Sequence, residues 1–155
     1  MTLPETRFGR DYLQGRIVAE FALAKHLGIV VDAADDSTVV LRAPLALNAN
    51  DKGTAFGGSL YSVAVLAGWA WTTRYLAARG LDAEVVIQES NVRFLTPCKG
   101  ELRARAAAAS AAQIDKLFRM LKRAGRGRIA LRVEVGHGSR VFASFDGVFA
   151  AAIRA

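Results

Sequence analysis

The spacing of hydrophobic and polar residues divides the N-terminal third of the chain into a helix and a hairpin. Apolar side chains recur at helical spacing through residues 11–27, and Gly28 follows as an expected helix terminus. Residues 29–31 and 38–43 are rich in β-branched side chains and are separated by the polar residues 32–37. The pattern therefore predicts an amphipathic helix followed by a β-hairpin.

The longest helical pattern covers residues 57–79 and ends at Gly80. Its first half, residues 60–71, is apolar on almost every side, and a helix without a polar face is normally buried inside its protein. About a dozen apolar residues are too few to cross a bilayer, which takes roughly 20. We therefore predict a buried central helix, preceded by a polar loop over residues 45–56.

The C-terminal half alternates apolar and polar positions in a way that predicts strands. The segments with this pattern are residues 84–96, 101–110, 127–135 and 140–153. Between the second and third of them, residues 113–124 form an amphipathic helical pattern with a basic outer face. An antiparallel sheet with one apolar face can curl around a single helix, so the predicted class is α+β. This order of elements is the layout of the hot-dog fold.

Composition supports one folded domain over residues 1–155. The chain has 155 residues, of which 52% are hydrophobic, so it can bury a core and is not disordered. A single Cys98 excludes an internal disulfide, and the separated His26 and His137 give no metal-binding pattern, so we expect neither a metal nor a cofactor. The first residues lack the layout of a signal peptide, and we expect a cytoplasmic protein without a membrane partner.

Positive charge is concentrated in residues 99–140. The formal net charge is +7, and this segment holds eleven Lys or Arg against three Asp or Glu. Three explanations stay open at this point: a solvated basic face, a site for a phosphorylated small ligand such as coenzyme A, and a nucleic-acid surface. No nucleic-acid-binding motif accompanies the charge, so nucleic acid is not an expected partner.

The most informative segment runs from residue 48 to residue 59, directly into the central helix, and reads NANDKGTAFGGS. The first N–H groups of a helix have no intrahelical partner and lie at its positive end, so they can stabilise an oxyanion that forms on a thioester carbonyl. Gly57 and Gly58 would let a ligand approach these groups closely. Ser59 either caps the helix or contacts the ligand. Tyr61, one turn later, is placed to line the acyl site.

Residues 48–69, with supporting stretches at 23–31, 44–48 and 89–97, resemble the YiiD C-terminal-type thioesterase family of the hot-dog superfamily. The resemblance implies thioester hydrolysis and at least a homodimer. Related acyl-CoA thioesterases place an Asn three residues before a Gly and follow it with a Gly-Gly pair at a helix start. Asn50 and Gly53 match the first part of this pattern, so the resemblance implies that Asn50 orients the thioester or the attacking water.

The sequence departs from the superfamily pattern in one respect. Many hot-dog thioesterases carry a carboxylate two turns into the central helix, whereas residues 63–66 here are Val-Ala-Val-Leu. A hydrolase still needs a base, and the candidates are Glu89 and Asp51. Partial burial of Glu89 would make it a stronger base. The alternatives are an ion pair between Glu89 and Arg93, and a solvated turn residue in the case of Asp51.

The expected reaction is hydrolysis of an acyl-CoA or acyl-carrier thioester to a carboxylic acid and a thiol. The predicted catalytic residues are Asn50, Asp51, Gly57, Gly58 and Glu89. The predicted substrate-binding residues are Asn48, Thr54, Phe56, Ser59 and Tyr61, with Lys116, Arg126 and Arg128 for the phosphates. Two alternatives differ in class: an acyl-CoA binding module without catalysis and, less favoured, a nucleic-acid-binding protein.

Overall fold

The computed structural model describes residues 7–155. Residues 1–6 lie outside the described residues. They are part of the predicted domain, residues 1–155, and of the N-terminal segment that is expected to lack a signal peptide. The helices are α1 (Arg10–Glu20), α2 (Ala22–Leu27), α3 (Gly57–Ala77) and α4 (Ala111–Ala124), with a 3-10 turn at Leu45–Leu47. The strands are β1 (Val30–Ala34), β2 (Thr38–Ala43), β3 (Ala83–Phe94), β4 (Leu102–Ala107), β5 (Arg126–His137) and β6 (Arg140–Ile153).

The six strands form one antiparallel sheet in the order β1-β2-β4-β5-β6-β3. Helix α3 packs across one face of this sheet and contacts β2 through β6. Because α3 is covered by the sheet on one side and by other elements on the other, its residues are buried around almost the whole circumference. The α+β hot-dog class predicted from the sequence is confirmed.

Close packing between α3 and the sheet depends on Gly68. A Cβ atom at this position would lie 2.4 Å from the ring of Phe149, which is fully buried on β6. Real Cβ atoms do not come that close to another heavy atom, so a larger residue would push the helix away from the sheet. The glycine therefore sets the distance between the two layers.

A polar cluster anchors the C-terminal half of α3 to the hairpin between β1 and β2. The buried Arg74 donates a hydrogen bond of 2.7 Å to the Asp36 carboxylate, and Arg79 pairs with the other carboxylate oxygen at 3.0 Å. The Trp71 indole N–H donates to the Asp36 backbone carbonyl at 3.1 Å. Hydrogen bonds from Arg79 and, to a smaller extent, from Arg74 hold the pKa of Asp36 below its usual range.

The prediction of a single helix over residues 11–27 is wrong in one detail, because the helix is interrupted at Phe21. This residue has extended dihedrals (φ −121°, ψ 101°) and separates α1 from α2. Its ring packs edge-on against Trp69 of α3, with 4.7 Å between ring centroids. The break follows from this tertiary contact, which the local helical spacing cannot encode. Gly28 ends α2 in the left-handed region, as predicted (φ 70°).

Candidate active site at the start of the central helix

Helix α3 begins with two backbone donors that have no acceptor among the described residues. Phe56 precedes the helix in an extended conformation (φ −63°, ψ 133°), and its carbonyl accepts hydrogen bonds from the N–H groups of Ser59 and Leu60 at 3.0 and 3.1 Å. Within residues 7–155, the N–H groups of Gly57 and Gly58 have no acceptor. They lie at the positive end of the helix, where they favour negative charge on a ligand.

Two exposed aromatic rings flank these glycines. A Cβ atom at Gly58 would lie 2.4 Å from the ring of Phe56, and one at Gly57 would lie 3.5 Å from the ring of Phe94. Both rings are 57% exposed, which is unusual for a large apolar side chain. The unpartnered amides therefore lie at an apolar surface that a larger residue at position 58 would distort.

A groove of about 320 Å³ adjoins the start of the helix. Its lining includes Thr54, Gly57, Leu60, Phe94 and Leu95, and no lining residue is a carboxylate. The groove is thus mainly apolar, with the Gly57 amide at its edge, which is an arrangement that suits an acyl group and its carbonyl.

The loop before α3 is held by Asn50. Its side-chain oxygen accepts hydrogen bonds from the N–H groups of Lys52 (2.8 Å) and Thr54 (3.1 Å), and its amide nitrogen donates to the Thr54 hydroxyl at 2.9 Å. These bonds close the loop upon itself. The NH₂ group carries two donors, and among the described residues only one of them has an acceptor. Asn50 itself does not line the groove, although its partner Thr54 does.

Asp51 and Asn48, two other predicted site residues, occupy very different environments. The Asp51 side chain is 80% exposed and pairs with Lys52 at 3.0 Å, as a solvated turn residue would. Asn48 is buried, and its amide group donates to the carbonyls of Leu27 (2.9 Å) and Pro44 (2.8 Å). Asn48 thereby ties the loop to the preceding elements, and its side chain offers almost no surface to a ligand.

Ser59 does not cap the helix, so one of the two roles expected for it is wrong. Phe56 occupies the cap position, and no side chain there accepts a hydrogen bond. Ser59 lies inside the first turn and is buried. The helix therefore begins three residues earlier than a serine cap would place it, which is what leaves the glycine amides at its tip.

Glu89 lies on the outer face of the sheet, away from α3. A β-bulge between Ile87 and Glu89 shifts the register, so that Glu89 pairs with Val148 and the next residue, Ser90, pairs with the buried Gly147. Strand neighbours point to opposite faces, so Ser90 takes the inner position. Glu89 is exposed, and the partial burial predicted for it is wrong. No ion pair with Arg93 is present among the described residues.

Ser90 contacts the predicted site residue Tyr61, a contact that the sequence pattern does not predict. Its hydroxyl lies 2.8 Å from the hydroxyl of Tyr61, one helical turn beyond Gly57, and the two share a hydrogen bond. The Tyr61 ring also packs edge-on against Phe145, with centroids 5.9 Å apart. Only the bulge brings Ser90 to the inner face, since uninterrupted alternation would place it outside.

The basic residues predicted to bind phosphate lie apart from this groove. Arg126 and Arg128 are exposed on the face of β5 opposite the buried Gly127 and Ile129, and they line a different groove of about 420 Å³. Lys116 is exposed on α4. The structure therefore does not bring these three side chains to the start of α3.

The described residues contain no group of three or more His, Cys, Asp or Glu side chains arranged to hold a metal ion. The Cys98 thiol is buried beneath the groove and donates a hydrogen bond to the Gly100 carbonyl at 3.3 Å. None of the helices in residues 7–155 has the length and apolar character of a membrane span.

Solved structures with the same fold come from several bacteria. A protein of unknown function from Chlorobaculum tepidum is 27% identical, with a TM-score of 0.85 and 94% of each chain covered. A putative thioesterase from Shewanella oneidensis is 21% identical (TM-score 0.82, covering 94% of this chain and 97% of that one). A probable thioesterase from Pseudomonas aeruginosa is 22% identical (TM-score 0.79, 99% of each chain).

A family model, described as "Putative thioesterase (yiiD_Cterm)", matches residues 10–153. This range contains every element of the fold and the whole loop and helix start that form the candidate site. The match agrees with the resemblance drawn from residues 48–69. The chain therefore belongs to the YiiD C-terminal-type thioesterase family.

Proposed function

We propose that this protein hydrolyses an acyl thioester of coenzyme A to a carboxylic acid and the free thiol. One observation carries the proposal: two unpartnered N–H groups, those of Gly57 and Gly58, lie at the positive end of α3 beside an apolar groove. Family membership supports thioesterase activity in general, and the acyl-CoA substrate is our own inference.

In the proposed reaction, the acyl chain lies along Leu60 and Phe94, and the thioester carbonyl oxygen accepts hydrogen bonds from Gly57 and Gly58. A water molecule attacks the carbonyl carbon, and the negative charge that forms on oxygen is stabilised by these preorganised donors. The carbon–sulfur bond then breaks, and the thiolate takes up a proton from the attacking water and leaves as the free thiol. The free amide hydrogen of Asn50 is available to orient the water or the thioester.

The roles of Asp51 and Glu89 as the general base stay predictions. Asp51 is in solvent and Glu89 faces away from α3, so within one copy of the chain neither carboxylate lines the groove. This observation favours the second candidate function, a binding module that holds acyl-CoA without hydrolysing it. The two candidates differ in one measurable property, the release of thiol.

We also propose that the working unit is a homodimer. Among the described residues, β3 pairs only with β6, so its other edge is free for a second sheet. The exposed rings of Phe56 and Phe94 and the side chain of Leu95, which is 52% exposed, lie near this edge and would be covered by a partner. Analytical ultracentrifugation should give twice the chain mass of 16.6 kDa; a monomer at micromolar concentration would contradict the proposal.

The cytoplasmic location also remains a prediction.

The decisive experiment follows thiol release from a panel of acyl-CoAs of increasing chain length. Steady turnover of at least one member is expected, and Asn50→Ala and Glu89→Gln each test a predicted role, with a loss of about a hundredfold for a group that acts in the chemistry. Ser90→Ala tests the hydroxyl pair with Tyr61. Binding of acyl-CoA without turnover across the panel would refute the hydrolase and support the binding module.

A further inference from the structure

A second groove, of about 430 Å³, lies next to the groove at the start of α3. The two share Thr96 and Pro97 in their walls. Beyond these residues the second groove is lined by Lys99, His137 and Arg140. The groove beside the Gly57 amide and a groove lined by basic side chains are therefore neighbours on the surface.

Positive charge at this end is not neutralised by the surrounding residues. Glu101, the one acid in the lining, already interacts with Arg42 at 3.6 Å and with Arg103 at 3.5 Å. Within residues 7–155, no acidic side chain pairs with Lys99 or Arg140, and both are exposed. Such a groove attracts a ligand with several negative charges.

Hydrogen bonds between backbone groups fix this basic end relative to the helix start. The Ala55 N–H donates to the Cys98 carbonyl at 2.8 Å, so the residue before Lys99 is tied to the residue two positions before Gly57. The Leu95 N–H donates to the Phe142 carbonyl at 2.8 Å. That bond holds the exit of β3 against β6.

The remaining two basic residues belong to the hairpin that joins β5 to β6. His137 and Arg140 face each other as the last pair of this ladder. Since the same hairpin is bonded to the exit of β3, both side chains lie on the fixed scaffold that carries the first groove. The backbone that carries the basic end is thus fixed relative to the first groove.

We propose that Lys99, His137 and Arg140 bind the phosphate groups of coenzyme A, with the pantetheine arm lying across Thr96 and Pro97. The proposal rests on the proposed function, because it takes the thioester to lie at Gly57. Lys and Arg are the residues that hold phosphate best, through charge-assisted hydrogen bonds.

This placement differs from the one expected from the sequence. Arg126 and Arg128 lie on the face of the sheet away from α3, so an arm that starts at Gly57 would have to pass around the sheet to reach them. The groove that contains Lys99 and Arg140 needs no such detour, since it shares its wall with the acyl groove.

Calorimetric titration with coenzyme A, and with pantetheine, which lacks the phosphates, tests the proposal without requiring turnover. The variant Lys99→Gln/Arg140→Gln should bind coenzyme A at least tenfold more weakly than the unaltered protein, with unchanged affinity for pantetheine. The control Lys122→Gln/Arg123→Gln removes the same charge from the exposed face of α4 and should change the affinity less than twofold. In kinetics, KM for an acyl-CoA should rise tenfold while kcat, and KM for the matching acyl-pantetheine, stay constant.

Three results would overturn the phosphate site. The first is an unchanged affinity for coenzyme A in Lys99→Gln/Arg140→Gln. The second is a tenfold loss of coenzyme A affinity in Lys116→Gln/Arg128→Gln instead. The third is binding of acyl carrier protein by a chain that does not bind coenzyme A. Hydrolysis of acyl-CoA and acyl-pantetheine with equal KM would refute this site and leave the hydrolase standing. Coenzyme A binding that depends on Lys99 and Arg140, without thiol release from any acyl-CoA, would refute the hydrolase alone.

Discussion

The role of the Gly57 amide can be tested by replacing the residue with proline, which removes the N–H group. Position 57 is the first residue of α3, where the N–H makes no intrahelical bond and proline is well tolerated. Phe56 already has the extended dihedrals (φ −63°, ψ 133°) that a residue before proline prefers. A Cβ at position 57 would lie 3.5 Å from Phe94, an ordinary contact distance. The Gly57→Pro variant should therefore fold.

The expected effect is large on catalysis and small on stability. Loss of one oxyanion donor reduces kcat by about 10²–10³, which corresponds to roughly 2.7–4 kcal/mol in the transition state. Stability should be unchanged or higher by about 0.4–1 kcal/mol, because proline restricts the unfolded chain. An effect on activity without an effect on folding is the signature of a donor that acts on the substrate.

The assay is thiol release from the best acyl-CoA of the panel, with thermal unfolding measured on the same samples. Gly57→Ala is the matched comparison, since it adds a Cβ at the same position and keeps the amide. The ratio of kcat between the Ala and Pro variants isolates the N–H group and should reach 100 or more. A folded Gly57→Pro protein with kcat within twofold of Gly57→Ala would refute the proposed oxyanion site.

Three further predictions concern stability. Gly68→Ala should lower the free energy of unfolding by about 1–3 kcal/mol in urea denaturation, because its Cβ would meet Phe149 at 2.4 Å; Gly15→Ala, on an open surface of α1, should instead raise it by about 0.5–1 kcal/mol. Asp36→Asn should lower the free energy of unfolding by about 1–2 kcal/mol, because it leaves the buried Arg74 without its carboxylate partner. The loss is smaller than for a fully buried ion pair, because Asp36 is 58% exposed. Since the pKa of Asp36 is lowered on folding, its contribution is complete above about pH 4 and is lost as the pH falls through the folded-state pKa. The stability difference between the wild type and Asp36→Asn should therefore shrink in acid, and a constant difference would contradict this.

Much of the fold could be predicted from the sequence because its signals are local. The apolar run in residues 60–71 identifies a buried helix without reference to any partner, and α3 begins at Gly57, as predicted. The clean alternation in residues 127–135 likewise identifies β5, although the strand extends to Arg126–His137. The resemblance carried by residues 48–69 and their supporting stretches indicated the family that the family model also matches.

The candidate site was harder to predict, since it depends on contacts between distant residues. Glu89 and Ser90 exchange faces because of a single bulge in β3, and alternation counted along the chain cannot reveal an extra residue in the ladder. The hydrogen bond from Asn48 to the Leu27 carbonyl likewise joins residues that are 21 positions apart in the sequence.

The sequence by itself determined the class of fold, the buried central helix and the glycine pair at its start, because periodicity and glycine content act within a few residues. Only the tertiary structure decided which side chains share a groove with those glycines and where the basic residues lie relative to it. Grooves form where separate loops are bonded together, as the Ala55–Cys98 hydrogen bond joins two of them here. The energy that brings such loops together comes from packing across the whole sheet, and no local pattern records it.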